Sequence, residues 1–182
     1  KPVAVIVKND KQTPKEELKK DQTPVINITD TIAVKYNLIC IKDSAINSVR
    51  LSEKLAQIYG VRLTEAIKKN KLKAVGPPHA CYKTQKAPFF FEAGIPVDKK
   101  PAKLDKKMSY KQIGGDSALV AHYYGPYEQT HIAYEALQEY LKDAKKKSIA
   151  PAYEVYIGDP IDAQGKAVDP YKVLTDIVFP HN

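Results

Sequence analysis

Apolar positions along the chain follow two spacings. In some segments β-branched and aromatic residues form short runs, which predict strands; in others apolar residues recur every three or four positions, which predicts helices. The helical spacing from Leu51 to Ile67 predicts one helix of about six turns over 48–71, although Gly60 weakens its middle by roughly 1 kcal/mol relative to alanine. The predicted elements are, in chain order, a strand over 33–42, a helix over 48–71, strands over 79–85, 88–96 and 117–124, a helix over 130–146, and strands over 152–157 and 173–179.

The same order of elements occurs twice. A strand, a helix and two strands form a first repeat at about 30–98 and a second repeat at about 115–181. One such unit cannot bury both its sheet face and its helix, but two units side by side share a core. The sequence therefore predicts an α+β domain: a tandem, pseudo-twofold repeat of β-α-β-β units. Its antiparallel sheet is expected to carry two long helices on one face and a ligand groove between the repeats.

Two segments outside the repeats are polar and rich in lysine. Residues 1–23 contain one short apolar stretch, Val3–Val7, and predict a polar lead-in or tether. The folded domain is expected over 24–182. Residues 97–112, between the repeats, are interpreted as a connector that closes at Gly114-Gly115.

The net charge of +8 comes almost entirely from lysine, because Arg50 and Arg62 are the only arginines. The planar guanidinium is favoured for base readout and for bidentate phosphate contacts, whereas scattered lysines mostly solvate a surface. We therefore expect no direct binding of nucleic acid. No stretch approaches the roughly 20 apolar residues of a membrane-spanning helix, so no membrane span is expected within these residues.

The two cysteines, Cys40 and Cys81, share no metal-binding spacing with each other or with a histidine. We expect two buried free thiols, no metal site and no cofactor. The chain begins at Lys1 rather than at methionine, which leaves open a removed signal peptide or anchor. The compartment is therefore unassigned, with the cytoplasm as the default, and a tethered interaction domain remains a further alternative.

Several segments, in matching order, resemble the GyrI-like (gyrase-inhibitor-like) family. They are residues 76–78 (GPP), 91–97 (FEAGIPV), 121–128 (AHYYGPYE), 151–160 (PAYEVYIGDP) and 175–180 (TDIVFP). The resemblance covers roughly residues 30–181 and implies two strand-helix-strand-strand units with a ligand groove between them. Members of this family serve as effector-binding domains of multidrug-sensing transcription regulators and as stand-alone proteins. In some branches they are hydrolases of strained cyclopropane-containing toxins.

The resemblance also implies a functional residue. The family's acidic pocket residue falls in the strand that here reads Tyr153-Glu154-Val155-Tyr156, and we assign that role to Glu154. In the sensors this residue pairs with cationic drugs, and in the hydrolases it does the acid–base work. Some hydrolase members use a tryptophan in the pocket wall; this chain has none, so tyrosine or phenylalanine would have to replace it.

The residue types around Glu154 suit this role without reference to the family. On a strand, Glu154 and Tyr156 share one face, and we expect the other face, with Tyr153 and Val155, to pack on the helices. Glu154 then projects into the groove, where desolvation raises its pKa and favours an organic cation as partner. Nearby aromatic rings add ~0.5–2 kcal/mol each through cation–π attraction. From the residues alone, a solvent-facing glutamate on an open sheet face remains the alternative.

The aromatic composition indicates a groove for amphipathic ligands. The chain has 12 tyrosines and 4 phenylalanines, and tyrosine combines an apolar ring with a polar tip. The predicted lining, whose members could equally belong to the core, consists of Tyr82, Phe91, Tyr123, Tyr127 and Tyr156. The tyrosines on predicted helices are instead expected to be packing or surface residues: Tyr59, Tyr134 and Tyr140.

Two functions follow from these patterns. The first is a stand-alone binding module for a small organic molecule, cationic and apolar, anchored by Glu154, with the oligomeric state left open. The alternative is a hydrolase of strained electrophilic small molecules, in which Glu154 is the catalytic acid or base and a tyrosine stabilises the developing charge. No helix-turn-helix segment is visible in the 182 residues, so we do not expect these residues alone to form a transcription regulator.

Overall fold

A computed structural model describes residues 22–182, and the predicted tether over 1–23 lies almost entirely outside them. These residues form one open, antiparallel sheet of eight strands with helices on one face, which confirms the predicted α+β class. Within this part of the chain, no helix is both long and apolar enough to cross a membrane. The strands are β1 (Val25–Ile32), β2 (Tyr36–Ala45), β3 (His79–Tyr82), β4 (Phe89–Pro96), β5 (Met108–Ile113), β6 (Ser117–Tyr124), β7 (Tyr153–Tyr156) and β8 (Leu174–Pro180), and the α-helices are α1 (Ser48–Gln57), α2 (Leu63–Lys69) and α3 (His131–Asp143).

The strand order across the sheet is symmetric about its centre. From edge to edge it reads β5-β2-β4-β3-β7-β8-β6-β1. The first repeat is β2-α1-α2-β3-β4 and the second is β6-α3-β7-β8, so each half of the sheet holds one repeat. The halves meet where β3 pairs with β7, through His79 opposite Val155 and Ala80 opposite Glu154. Glu154 therefore lies at the centre of the sheet, at the boundary between the repeats.

The sequence does not predict the outer strands β1 and β5, which occupy equivalent places in the two repeats. Strand β1 directly precedes the first repeat but pairs with β6 of the second, and β5 directly precedes the second repeat but pairs with β2 of the first. The connections that leave them, residues 33–35 and 114–116, run side by side. Ala33 N donates to the Asp116 carbonyl and Gly115 N donates to the Ala33 carbonyl, both at 2.9 Å. The two repeats thus exchange their leading strands.

The interpretation of residues 97–112 as a connector is therefore correct only for their first part. Strand β5 places Met108 and Tyr110 against the core of the first repeat, while Ser109 and Lys111 face the other side of the sheet. This alternation is typical of a strand with one covered face. The high lysine content of the segment obscures it in the sequence.

The helices pack over the same face of the sheet, α1 and α2 over the first repeat and α3 over the second. Each repeat has its own apolar core on this face, and burying one such side chain fully contributes about 1.5–3 kcal/mol. The first core includes Ile39, Ile41, Ile58, Leu63, Phe91 and Ala93, and the second includes Leu119, Ala121, Tyr123, Ala133, Leu137 and Ile177. A smaller cluster on the opposite face comprises Ala33, Ala118, Val120, Tyr153, Val155 and Val178.

The long helix predicted over 48–71 is interrupted in its middle. Helices α1 and α2 are joined by a π-helical turn over Ile58–Arg62, which contains Gly60. A π-helical turn accommodates an extra residue, and such turns occur frequently at functional sites. Leu63 stays buried, and Tyr59 points to the sheet, where its hydroxyl donates to the His79 carbonyl at 2.5 Å.

Close packing of strands β2 and β4 gives a test of this sheet. A Cβ atom at Gly94 would lie 2.6 Å from Cys40 Sγ and 3.1 Å from the Ile39 carbonyl oxygen. We expect Gly94→Ala to lower the free energy of unfolding by about 1–3 kcal/mol in urea titrations, because the core must shift. Gly60→Ala is the control: a Cβ there meets nothing within 4 Å, so we expect unchanged or slightly higher stability. Equal effects of the two substitutions would contradict the strand packing described.

Candidate functional site

Glu154 lies on the sheet face that carries the helices. In the pairing of β7 with β8, Glu154 lies opposite Ile177, which belongs to the core under the helices. Tyr153 lies opposite Val178, which belongs to the cluster on the other face of the sheet. The expectation that Tyr153 and Val155 pack on the helices is therefore wrong. Alternation separates the two faces of a strand but does not show which face the helices cover. Here both faces are buried at the centre of the sheet, so apolar residues occur on each.

The Glu154 carboxylate is buried and partnered by a neutral group. Glu154 is only 4% exposed, and the Tyr134 hydroxyl of α3 donates a hydrogen bond to Glu154 Oε1 at 2.9 Å. Burial raises the pKa of Glu154 to about 7, against the opposing effect of the Tyr156 and Tyr134 hydroxyls. The carboxyl group therefore changes charge near neutral pH.

Five tyrosines from five different elements surround the carboxylate. Tyr156 is central: its hydroxyl shares a 2.7 Å hydrogen bond with that of Tyr82, and its ring meets the rings of Tyr59 and Tyr127 edge-on, with centroids 6.4 and 5.8 Å apart. Burial raises the pKa of Tyr82, Tyr134 and Tyr156, so these phenols remain neutral over the physiological range. We call the set the tyrosine ring: Tyr59, Tyr82, Tyr127, Tyr134 and Tyr156.

The predicted site residues occupy three kinds of position. Four of them lie together at the boundary between the repeats: Glu154, Tyr156, Tyr82 and Tyr127. Phe91 lies behind this group: it is 3% exposed within the first core, and its ring centroid lies 6.2 Å from that of Tyr82. Tyr123 is fully buried in the second core, and its hydroxyl donates to the Pro126 carbonyl at 2.7 Å.

Two members of the tyrosine ring are not among the residues that the sequence selects. Tyr134 lies three residues before Leu137 and seven before Leu141, on the buried stripe of α3. Helical spacing therefore predicts that its side chain points toward the sheet. Tyr59 reaches the site from the π-helical turn. Nothing in the sequence spacing reveals that turn, because the apolar positions fit a continuous helix.

Side chains close the site in this conformation. Tyr127 is the outermost member of the tyrosine ring, with 41% of its surface exposed, and it stands edge-on to the half-buried Tyr156. Tyr127 begins a short 3-10 turn before α3, and Tyr156 is the last residue of β7. A ligand that contacts Glu154 must therefore displace side chains that lie at the ends of their elements.

Metal-binding and thiol chemistry is the remaining question for the described residues. Among residues 22–182, no group of three or more histidine, cysteine, aspartate or glutamate side chains is arranged to hold a metal ion. Cys40 is a buried free thiol and Cys81 a half-buried one. Burial raises the pKa of Cys40 to about 12, so this thiol stays protonated.

The raised pKa of Glu154 predicts a pH-dependent stability. Because the folded-state pKa of about 7 exceeds the unfolded value of 4.5, the folded state binds more protons, and stability falls as pH rises through this window. The difference corresponds to about 3 kcal/mol. We expect Glu154→Gln, which cannot ionise, to match the wild type near pH 4 and to be more stable by up to about 3 kcal/mol near pH 8.

Chemical denaturation across this pH range measures the effect. Glu139→Gln, on the exposed side of α3, is the matched control and should follow the wild-type curve. Parallel curves for the wild type and Glu154→Gln would show that the carboxylate is not desolvated.

Solved structures of other proteins have a similar fold. No curated protein sequence matches the chain. Among solved structures, EcmrR in its DNA complex has a TM-score of 0.69 at 17% identity, over 87% of this chain and 57% of that one, so the chain spans little more than half of it. The EcmrR C-terminal domain gives a TM-score of 0.69 at 14% identity, over 88% of this chain and 99% of that one. A hydrolase from Listeria innocua gives 0.59 at 12% identity, over 92% and 98%.

At these low identities, the TM-scores establish a shared fold. The family model of the GyrI-like small molecule binding domain matches residues 49–182, which include both helical regions, the Glu154 strand and every member of the tyrosine ring. The chain belongs to the family of GyrI-like small-molecule binding domains.

Proposed function

We propose that this domain binds a hydrophobic organic cation, with Glu154 as its anionic anchor and the tyrosine ring as its wall. The observation that carries the proposal is a nearly fully buried carboxylate whose neighbours are phenols. Among the described residues no cationic side chain forms an ion pair with Glu154, and its pKa is raised by burial. A buried anion without a protein counter-ion favours a cation supplied by the ligand.

The surrounding rings suit the apolar part of such a ligand. Aromatic faces attract cations by about 0.5–2 kcal/mol each, and more when water is excluded. Four hydroxyls of the tyrosine ring are already paired, those of Tyr59, Tyr82, Tyr134 and Tyr156, so these aromatic rings can face the ligand without leaving polar atoms unpaired. The site therefore combines one charge with several apolar surfaces, which selects by charge and hydrophobicity rather than by detailed shape.

The likeness to one domain of EcmrR supports a separate effector module. EcmrR as a whole forms a DNA complex, and this chain aligns with nearly all of the EcmrR C-terminal domain. We propose no nucleic-acid contact for this chain itself, because its positive charge is carried by scattered lysines.

Ligand titration by thermal shift and calorimetry tests the anchor. We expect aromatic quaternary ammonium compounds to stabilise the wild type, by ~2.7 kcal/mol at 100 times the dissociation constant, and to bind Glu154→Gln at least tenfold more weakly. Affinity should increase as pH rises through about 7, because only the ionised carboxylate attracts a cation. The uncharged carbon isosteres of these compounds should not distinguish the two proteins.

Glu139→Gln again serves as the control and should bind as the wild type does. Equal binding of the cations by the wild type and Glu154→Gln, or affinity that does not change with pH, would overturn Glu154 as the anchor.

A second candidate function, hydrolysis, is favoured by one specific observation. A carboxyl group with a pKa of about 7 and a phenol donor at 2.9 Å is suited to general acid–base catalysis at neutral pH. Binding without turnover remains the first proposal. Incubation with strained-ring electrophiles, followed by mass spectrometry, distinguishes the two. Ring-opened product that the wild type forms and Glu154→Gln does not would establish the hydrolase.

A further inference from the structure

A second buried polar group lies on the same face of the sheet, and it has no hydrogen-bond partner among residues 22–182. Thr175 in β8 is fully buried, and its hydroxyl Oγ1 makes no hydrogen bond to any described residue. The other buried oxygen without a hydrogen bond of good geometry, Glu92 Oε1, contacts the Lys111 ammonium group and is thereby paired. Native proteins rarely leave a buried hydroxyl unpaired, because it loses its hydrogen bonds to water without replacement.

Strand register places Thr175 beside the Glu154 site. Thr175 lies directly opposite Tyr156 of β7 on one side and Tyr123 of β6 on the other. Residues that face each other in neighbouring strands project to the same side, and Glu154 projects there too, opposite Ile177. Glu154 and Thr175 are thus diagonal neighbours, with Cβ atoms roughly 7 Å apart.

The neighbouring hydroxyls do not satisfy Thr175, since both are engaged elsewhere. The Tyr123 hydroxyl donates to the Pro126 carbonyl, and the Tyr156 hydroxyl is paired with that of Tyr82. Tyr156 lies directly opposite Thr175 in the neighbouring strand, and its ring is in edge-on contact with that of Tyr127. The displacement of Tyr156 that admits a ligand to Glu154 therefore also moves the side chain beside Thr175.

We infer that Thr175 is a specificity-determining residue of this site and that it hydrogen-bonds a polar group of the ligand. The ligand class is then an amphipathic cation that carries a hydroxyl, ether or carbonyl oxygen within about 7 Å of its charged nitrogen. This inference rests on the proposed function, because Glu154 must hold the cationic end. Such a ligand satisfies the unpaired hydroxyl and the buried carboxylate at once.

Two probes and one substitution test the inference. The probes are benzyldimethylammonium salts that carry either a hydroxypentyl or a hexyl chain, so they share the charge and nearly the same shape. We expect the wild type to bind the hydroxypentyl probe about three- to tenfold more tightly, the range that one net hydrogen bond provides. Thr175→Val, which replaces the hydroxyl by a methyl group, should lose this preference and bind the hexyl probe as the wild type does.

A measurement without ligand gives a second readout. Removing an unpaired buried hydroxyl should raise the Tm of Thr175→Val by roughly 2–4 °C. Thr31→Val, at an exposed position of β1, is the matched control and should change neither Tm nor probe preference. A lower Tm for Thr175→Val would show that the hydroxyl is already satisfied in the free protein and would overturn the inference.

The outcomes separate this inference from the proposed function. If both probes bind with Glu154-dependent affinity but Thr175→Val keeps the preference for the hydroxypentyl probe, the role of Thr175 is refuted and the cation site stands. If neither probe binds the folded wild type, both the cation site and the role of Thr175 fail. Loss of preference in Thr175→Val, with Glu154-dependent binding of both probes and unchanged affinity for the hexyl probe, supports both.

Discussion

The desolvation of one carboxylate, at the boundary between two repeats, is the constraint on which the rest of the site depends. Glu154 sits on the central strand pair, where the first core under α1 and α2 ends and the second core under α3 begins. Purely apolar residues in this space would leave the carboxylate without donors, and a lysine or arginine would neutralise it. Phenols give the buried acid neutral donors and leave its charge available, at the expense of stability when it ionises.

The pairing of the strands makes this boundary the least constrained part of the sheet. Strands β3 and β7 share two residue pairs, whereas β1 and β6 share eight. The two repeats are held together largely by their exchanged leading strands, β1 and β5, which lie far from Glu154 at the edges of the sheet. The fold therefore places its strongest connections between the repeats away from the site. Side chains at the centre can then rearrange without loss of the sheet.

The sequence predicts the repeat and its main elements because these follow from hydrophobic spacing, and the β6 bounds agree to the residue. It does not predict β5, because lysines between the apolar positions make that strand look like a linker. It also assigns the wrong face of β7 to the helices, because both faces are buried there. Around Glu154 it misses Tyr59, which a π-helical turn directs inward, while Tyr134 was available from the buried stripe of α3.

The raised pKa of Glu154 also explains how a closed site can be stable without a ligand. Near pH 7 a large part of the population carries a protonated, uncharged carboxyl group, which needs no counter-ion within the tyrosine ring. A bound cation favours the ionised form, so its binding is coupled to the release of up to about one proton. If the domain binds a cation as proposed, the proton and the cation compete for the same oxygen atoms. The free domain then keeps a large part of its buried acid neutral, and a cationic ligand replaces the proton that stabilises the empty site.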